Sequence, residues 1–207
     1  MLRIYGRDNS INVRKALWAC AEIGIAYERL DYGRGFKPTD SDEFVAVSRF
    51  GVVPVIDDDG FVLRESNTIV RYLAAKHGRQ DLYPGDVRRR ATIESWMDWA
   101  STDLGSAVRD VFWGLQLKHP DFADSERIAR GVANLNKQME RLDHHLSQAG
   151  PYVMGDTFTV ADIPIGLSVN RWFLVAFEKP RLPALTAYFE KLSERPAFRQ
   201  HGRNGTP

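Results

Sequence analysis

The chain has 207 residues, 43% of them hydrophobic and 27% charged, with a formal net charge of +1. These are ordinary globular proportions, and the near-zero charge argues against non-specific nucleic-acid binding. A single cysteine, Cys20, excludes an intrachain disulfide and any metal site built of several thiolates. No apolar run is long enough to span a bilayer, and the opening MLRIYGRDNS lacks the apolar core of a secretory signal. The expectation is a soluble, cytoplasmic protein with neither a membrane nor a nucleic-acid partner.

In chain order, Leu2, Ile4 and Tyr5 lie in a first predicted strand, with Leu2 and Ile4 on one face. Residues 11–24 read as a helix because Val13, Leu17, Cys20 and Gly24 recur at helical spacing. Residues 26–31 read as a weaker strand. The next segment, GVVPVIDDDGFVLRESNTIVRYLAAKHG, is the most informative. Two apolar runs, 52–56 and 61–63, flank an Asp-Asp-Asp-Gly tetrad, the pattern of a β-hairpin turn. Pro54 cannot donate to a strand ladder, so it marks a strand start, an edge or a bulge. Ser66 is the predicted N-cap of a helix carrying Ile69, Val70, Leu73 and Ala74, and the N–H groups behind such a cap form an anion site.

Residues 78–85 carry Gly, Asp and Pro and read as a linker; beyond them strand signals vanish. Helical periodicity covers 86–118, 121–148, 159–177 and 183–192. In FTVADIPIG, Thr159 and Asp162 have the spacing of a capping box, with Phe158 and Ile163 as its apolar staple. The final HGRNGTP is expected to fray. The predicted fold is therefore an α/β domain of thioredoxin-like order over 1–78, a linker over 79–87, and an all-α domain over 88–207.

The residues VPVI, ESN, IVRYLA and FTVADIPIG resemble the corresponding segments of the cytosolic glutathione transferase family, in its bacterial form with a serine or asparagine in the catalytic loop. The resemblance runs from Met1 to about Gln200. It implies a cis Pro54, a main-chain pairing of Val53 with the cysteinyl unit of glutathione, and Glu65 and Ser66 holding the γ-glutamyl end. It implies that the group contacting the glutathione sulfur lies in the loop and helix start at 6–15. Ser10 is the hydroxyl in reach there and Asn12 a second donor. If Ser10 is only a helix cap, the contact falls to Asn12 or to a backbone N–H. No Tyr or Cys occupies the usual place, and Tyr5 should point into the sheet.

By the same resemblance, Arg34 and Lys37 face the glycine carboxylate, and Asp103 reaches across a homodimer to the glutamyl amine. Arg109, Trp113 and Trp172 line an electrophile pocket, whereas Trp96 and Trp99 fit a buried stripe. The implied activity is conjugation of the glutathione thiolate to a small hydrophobic electrophile, in detoxification, with glutathione as co-substrate and no metal. Two alternatives share the fold: glutathione-dependent reduction of peroxides or disulfides, and a non-catalytic binding protein.

Other features carry structural readings. Arg88, Arg89 and Arg90 open a helix and read as a solvated face. His144 and His145 are adjacent, so a helix points them about 100° apart and they cannot chelate one metal as an i, i+4 pair would. Asp57 to Asp59 lack the spaced ligands of a calcium loop. Cys20 reads as a core residue, and the absence of Cys-x-x-Cys argues against thioredoxin chemistry.

Overall fold

A computed structural model describes residues 1–207, and the chain divides into two compact units, Met1–Tyr83 and Pro84–Pro207. The first contains β1 (Leu2–Tyr5), α1 (Ile11–Ile23), β2 (Tyr27–Leu30), α2 (Asp42–Val47), β3 (Val55–Asp58), β4 (Phe61–Arg64) and α3 (Ser66–Lys76). Its sheet has the order β2-β1-β3-β4; β1 runs parallel to β2 and antiparallel to β3, and β3 pairs antiparallel with β4. This is the mixed sheet of a thioredoxin-like domain.

Local chemistry explains these elements. Asp58 pairs with Phe61, leaving Asp59 and Gly60 as a two-residue turn with φ of 52 and 93. Positive φ at both turn residues matches the twist of the strands that the turn joins. The Asp57 carboxylate accepts the Gly60 N–H at 2.7 Å and locks the turn. Pro54 follows a cis Val53–Pro54 bond, and β3 starts at the next residue, where the chain again has an N–H to donate. Helix α1 stops at Gly24, whose φ of 85 is the left-handed C-cap and whose N–H bonds to the Cys20 carbonyl.

The sheet has a core on each face. On one, Leu2, Ile4 and Ile56 pack with Val13, Leu17 and Cys20 of α1 and with Ile69 and Leu73 of α3. Burial there pushes the Cys20 thiol up to about 12, which leaves it an inert core group. On the other face Tyr5, Tyr32, Val55 and Phe44 cluster beneath α2, with Tyr32 and Phe44 ring centroids 5.0 Å apart. Tyr5 is thus turned into the sheet core. The sequence did not predict α2: it has six residues, and only Phe44 is buried.

The second unit is helical: α4 (Val87–Ser101), α5 (Asp103–Val111), α6 (Ser125–Ala149), α7 (Asp162–Leu174), α8 (Pro183–Ser193) and α9 (Pro196–His201). The single helix expected over 86–118 is broken. Ser101 and Thr102 hydroxyls bond back to the Met97 and Asp98 carbonyls, at 3.2 and 2.9 Å, and Thr102 leaves helical geometry at φ −95, ψ −86. Hydroxyls that bond back to the preceding turn bend helices. After α5 the chain widens into one π-helical segment, Phe112–Gln116. Trp96 and Trp99 also differ from expectation. The buried stripe of α4 is Ile93, Met97 and Ala100, and the two indoles pack edge to face beside it, half-buried, 5.4 Å apart.

Helix α7 is buried along almost its whole length, as its apolar sequence requires. It begins at Asp162, later than periodicity suggested, because Thr159 to Ala161 form the cap. The Asp162 carboxylate accepts the Thr159 N–H at 2.8 Å, the reciprocal half of a capping box. It also accepts the Val153 N–H at 3.0 Å and the Tyr188 hydroxyl at 3.2 Å. The C-terminal segment is held, contrary to the expectation of fraying. Asn170 donates to the Thr206 carbonyl at 3.0 Å, and Arg171 donates to the Pro207 main-chain oxygen at 3.2 Å. No helix is long and apolar enough to cross a membrane.

Candidate functional site

The site is built where α1 and α3 begin. The loop from β1 turns at Gly6, whose φ of 145 suits glycine, and a Cβ there would collide with Val13 and lie 3.1 Å from Val53 Cβ. This close approach sets the first residues of α1 beside the strand that Pro54 opens. Ser10 is the N-cap: its carbonyl accepts the Arg14 N–H at 2.9 Å, and its hydroxyl makes no capping bond. The hydroxyl is therefore available for another acceptor, at a helix end whose free N–H groups carry positive potential.

Across from it, α3 starts one residue earlier than the sequence suggested. Glu65, not Ser66, is the cap, and its carbonyl accepts the Ile69 N–H at 2.8 Å. Glu65 holds φ 69, ψ 108, a sparsely populated conformation for a non-glycine residue. Ser66 thereby becomes the first helical residue, and its hydroxyl turns toward α1. It donates to Asn12 Oδ1 at 3.4 Å and accepts from Lys15 Nζ at 3.4 Å. The structure thus brings Asn12, Lys15 and Ser66 together at two helix N-termini. The Glu65 carboxylate is exposed and pairs with Arg64 at 2.8 Å.

Sequence reasoning passed over the cations of α1. Arg14 and Lys15 are 1% and 7% exposed. Burial lowers the Arg14 guanidinium to about 10, with Asp8 opposing the shift. The available signal was a pair of adjacent cations near the start of a mostly apolar helix. The Lys15 contact is with Ser66, 51 positions away, which periodicity does not reveal.

The remaining predicted residues lie as follows. Val53 is half-buried against both sheet cores and Pro54 is buried. Arg34 and Lys37 are exposed on the loop after β2; Lys37 pairs with Glu43 at 3.5 Å and lies 5.5 Å from the centre of the Tyr32 ring. In the second unit, Asp103 is exposed at the start of α5 and accepts from the Thr102 hydroxyl at 3.3 Å. Arg109 is exposed, 3.5 Å from Asp110. Trp113 is half-buried and stacks on Phe122 at 5.4 Å. Trp172 is 2% exposed and donates its N–H to Asn136 at 2.9 Å, so it belongs to the helical core. His145 contacts the Val153 carbonyl at 2.8 Å and packs on Trp96.

Residues 1–75 match the family description "Glutathione S-transferase, N-terminal domain", and 111–196 match "Glutathione S-transferase, C-terminal domain". Glutathione S-transferase GstB of Escherichia coli K12 is 36% identical over 202 residues, 97% of each chain. The theta class glutathione S-transferase of Xanthomonas axonopodis pv. citri, solved with glutathione bound, is 40% identical with a TM-score of 0.89, covering 97% of this chain and 96% of that one. The chain belongs to the glutathione S-transferase family.

Proposed function

We propose that this protein conjugates the glutathione thiolate to small hydrophobic electrophiles. The observation that carries the reading is the convergence of Asn12, Lys15 and Ser66 at the starts of α1 and α3, beside the strand that Pro54 opens. Two helix N-termini and a buried ammonium suit the charged γ-glutamyl end of a peptide. Ser66 and the free N–H groups of α3 hold its carboxylate, Glu65 its amine, and the Val53 main chain the cysteinyl unit. Ser10 or Asn12 then donates to the sulfur. The thiolate attacks the electrophile, a carbon–sulfur bond forms, the leaving group departs with its electron pair, and the thiol proton passes to solvent.

Magnitudes show where the rate comes from. A free thiol of pKa about 8.5 is roughly 3% ionised at pH 7, and lowering it by about two units makes it roughly 75% ionised. Nucleophilicity falls with pKa at a slope of about 0.45, which cancels roughly 8-fold of that 25-fold gain. Only about a three-fold advantage remains. Holding thiolate and electrophile together is the larger effect.

Arg34 and Lys37 belong to the glycine end of the same reading. Exposed Arg109 and half-buried Trp113 are the assigned electrophile contacts, with Trp172 supporting its helix from the core. A homodimer, with Asp103 reaching the partner's glutamyl amine, and a cytoplasmic detoxifying role complete the reading. The test is retention on immobilised glutathione together with turnover of a chloronitrobenzene. Both are expected; retention without turnover would point to a binding protein instead.

A further inference from the structure

We infer that Asn204 is a site of self-modification: the Gly205 nitrogen displaces its side-chain amide, and the product frees residues 206–207 from α7. Of the chain's asparagines, only Asn204 is followed by glycine, and both residues are exposed. Glycine leaves the attacking nitrogen unshielded and reaches backbone angles closed to other residues; Gly205 stands at φ 80. The Gly205 N–H makes no hydrogen bond that the attack would have to break. Asn204 Oδ1 accepts the Thr206 N–H at 3.1 Å. That bond folds the side chain along the peptide unit containing the Gly205 nitrogen and draws electrons from Cγ, the atom attacked. The same ring closure is open to an aspartate followed by glycine, and Asp59–Gly60 is the contrasting case. There the Gly60 N–H is held by the Asp57 carboxylate at 2.7 Å, and the Asp59 carboxylate pairs with the Met1 amine.

The reaction balances with water as its only partner. The Gly205 nitrogen gives its proton to hydroxide and bonds to Asn204 Cγ. The Cγ–Nδ2 bond breaks, Nδ2 takes a proton from water, and ammonia leaves. The cyclic imide then takes up one water. Opening at one carbonyl gives aspartate; opening at the other gives isoaspartate, whose main chain runs through the former side chain. No glutathione takes part, so the chemistry stands apart from conjugation.

Asn204 joins two parts of the fold. Its Nδ2 donates to the Gln200 carbonyl at 3.1 Å, in the last turn of α9. Beyond it, the Thr206 carbonyl accepts the Asn170 amide N–H at 3.0 Å, and the Pro207 main-chain oxygen accepts from Arg171 at 3.2 Å. Asn170 and Arg171 are 1% and 8% exposed, so residues 206–207 satisfy buried polar groups of α7. Before it, the chain is anchored: the Arg203 N–H donates to the Phe198 carbonyl at 2.8 Å, and its guanidinium pairs with Glu190 at 2.8 Å. Aspartate at 204 loses the bond to Gln200 and sets negative charge against carbonyls at a helix C-terminus. Isoaspartate also lengthens the main chain by one carbon–carbon bond, ~1.5 Å. With Arg203 anchored, that displacement falls on Thr206 and Pro207, and their hydrogen bonds to α7 do not survive it.

The test is incubation of the full chain at neutral and mildly alkaline pH, followed by peptide mass mapping and enzymatic methyl labelling of isoaspartate. Residue 204 should gain one mass unit and become the labelled position, at a rate rising in proportion to hydroxide. Gly205→Ala should slow the gain about ten-fold or more, because a Cβ shields the nitrogen and disfavours the positive φ. Asn204→Ser cannot react and should melt alike before and after incubation. Converted wild type should melt about 2–4 °C lower than fresh protein, the shift expected when buried hydrogen bonds are lost from a chain of this size. Asn204→Asp, with the charge but not the extra carbon, should fall between the two. No mass gain at residue 204, equal rates in wild type and Gly205→Ala, or isoaspartate at Asp59 instead, would overturn the assignment. Converted protein that melts like fresh protein would overturn the release of residues 206–207.

Discussion

Ser10 occupies a cap position without using its side chain as a cap, and that separates two effects usually confounded. Ser10→Ala should cost little stability, below about 0.5 kcal/mol, since no capping bond is lost. Turnover at pH 7 should fall about three-fold if Ser10 holds the sulfur and supplies that whole shift, and the deficit should close between pH 7 and about 8 and reverse above it, where the free thiol ionises unaided and is the stronger nucleophile. A pH–rate profile of the two proteins reads this directly; a deficit independent of pH would move the role to positioning. Asn12→Ala should weaken glutathione binding through Ser66, whose hydroxyl loses its acceptor. Gly6→Ala should be among the most damaging single changes, because its Cβ meets Val13 and Val53 at once. Melting and glutathione affinity should drop together. That Ser10, Asn12, Glu65 and Ser66 stand at the starts of two helices was legible from motif order, whereas their proposed roles come from the family resemblance. The contact of Lys15 with Ser66 was not legible, because a cation's surroundings are set by segments distant in the chain.

At the scale of elements, the cap of α7 gives the sharpest pH prediction. Burial pushes the Asp162 carboxyl up to about 6, against the hydrogen bonds from Thr159, Val153 and Tyr188 that favour its charged form. A folded pKa above the unfolded value of about 3.9 means that the native state binds the proton more tightly. That contribution is complete below about pH 4 and is lost as pH rises to about 6. Relative to Asp162→Asn, which does not titrate, wild-type stability should therefore fall by up to about 3 kcal/mol across that window. Calorimetric melting from pH 4 to 7 checks it, and a difference that stays flat would contradict the shift. Asp162→Ala should cost roughly 3 to 5 kcal/mol at neutral pH, since two buried N–H groups and a hydroxyl lose their acceptor. The bond from the Thr159 N–H to Asp162 was visible in FTVADIPIG because its signal is local, although the helix is capped at Ala161 and not at Thr159 and the Thr159 hydroxyl makes no capping bond. The break at Thr102 was not, since serine and threonine fit a helix by composition and end it only through the bonds their hydroxyls choose. Helix α2 is too short to show a period at all. The hairpin was plain because Asp-Gly forces a turn whatever surrounds it.

For the whole molecule, the change from alternating strands and helices to helices alone was written in the sequence. So was the order of strand, helix, strand, hairpin and helix that generates the mixed sheet. What periodicity does not encode is assembly. The proposed homodimer predicts a sedimentation mass twice that of one chain, with Asp103→Ala lowering glutathione affinity in the dimer; a monomer of unchanged affinity would remove Asp103 from the site. An organic hydroperoxide in place of the electrophile tests whether reduction accompanies conjugation. The central claim, that the first domain grips glutathione through the ends of α1 and α3, is tested most directly by titration calorimetry. The wild type should take up one glutathione per chain, and Ser66→Ala should bind it about 10- to 100-fold more weakly with its fold intact. Absence of uptake at millimolar glutathione, or equal affinity in the folded variant, would contradict it.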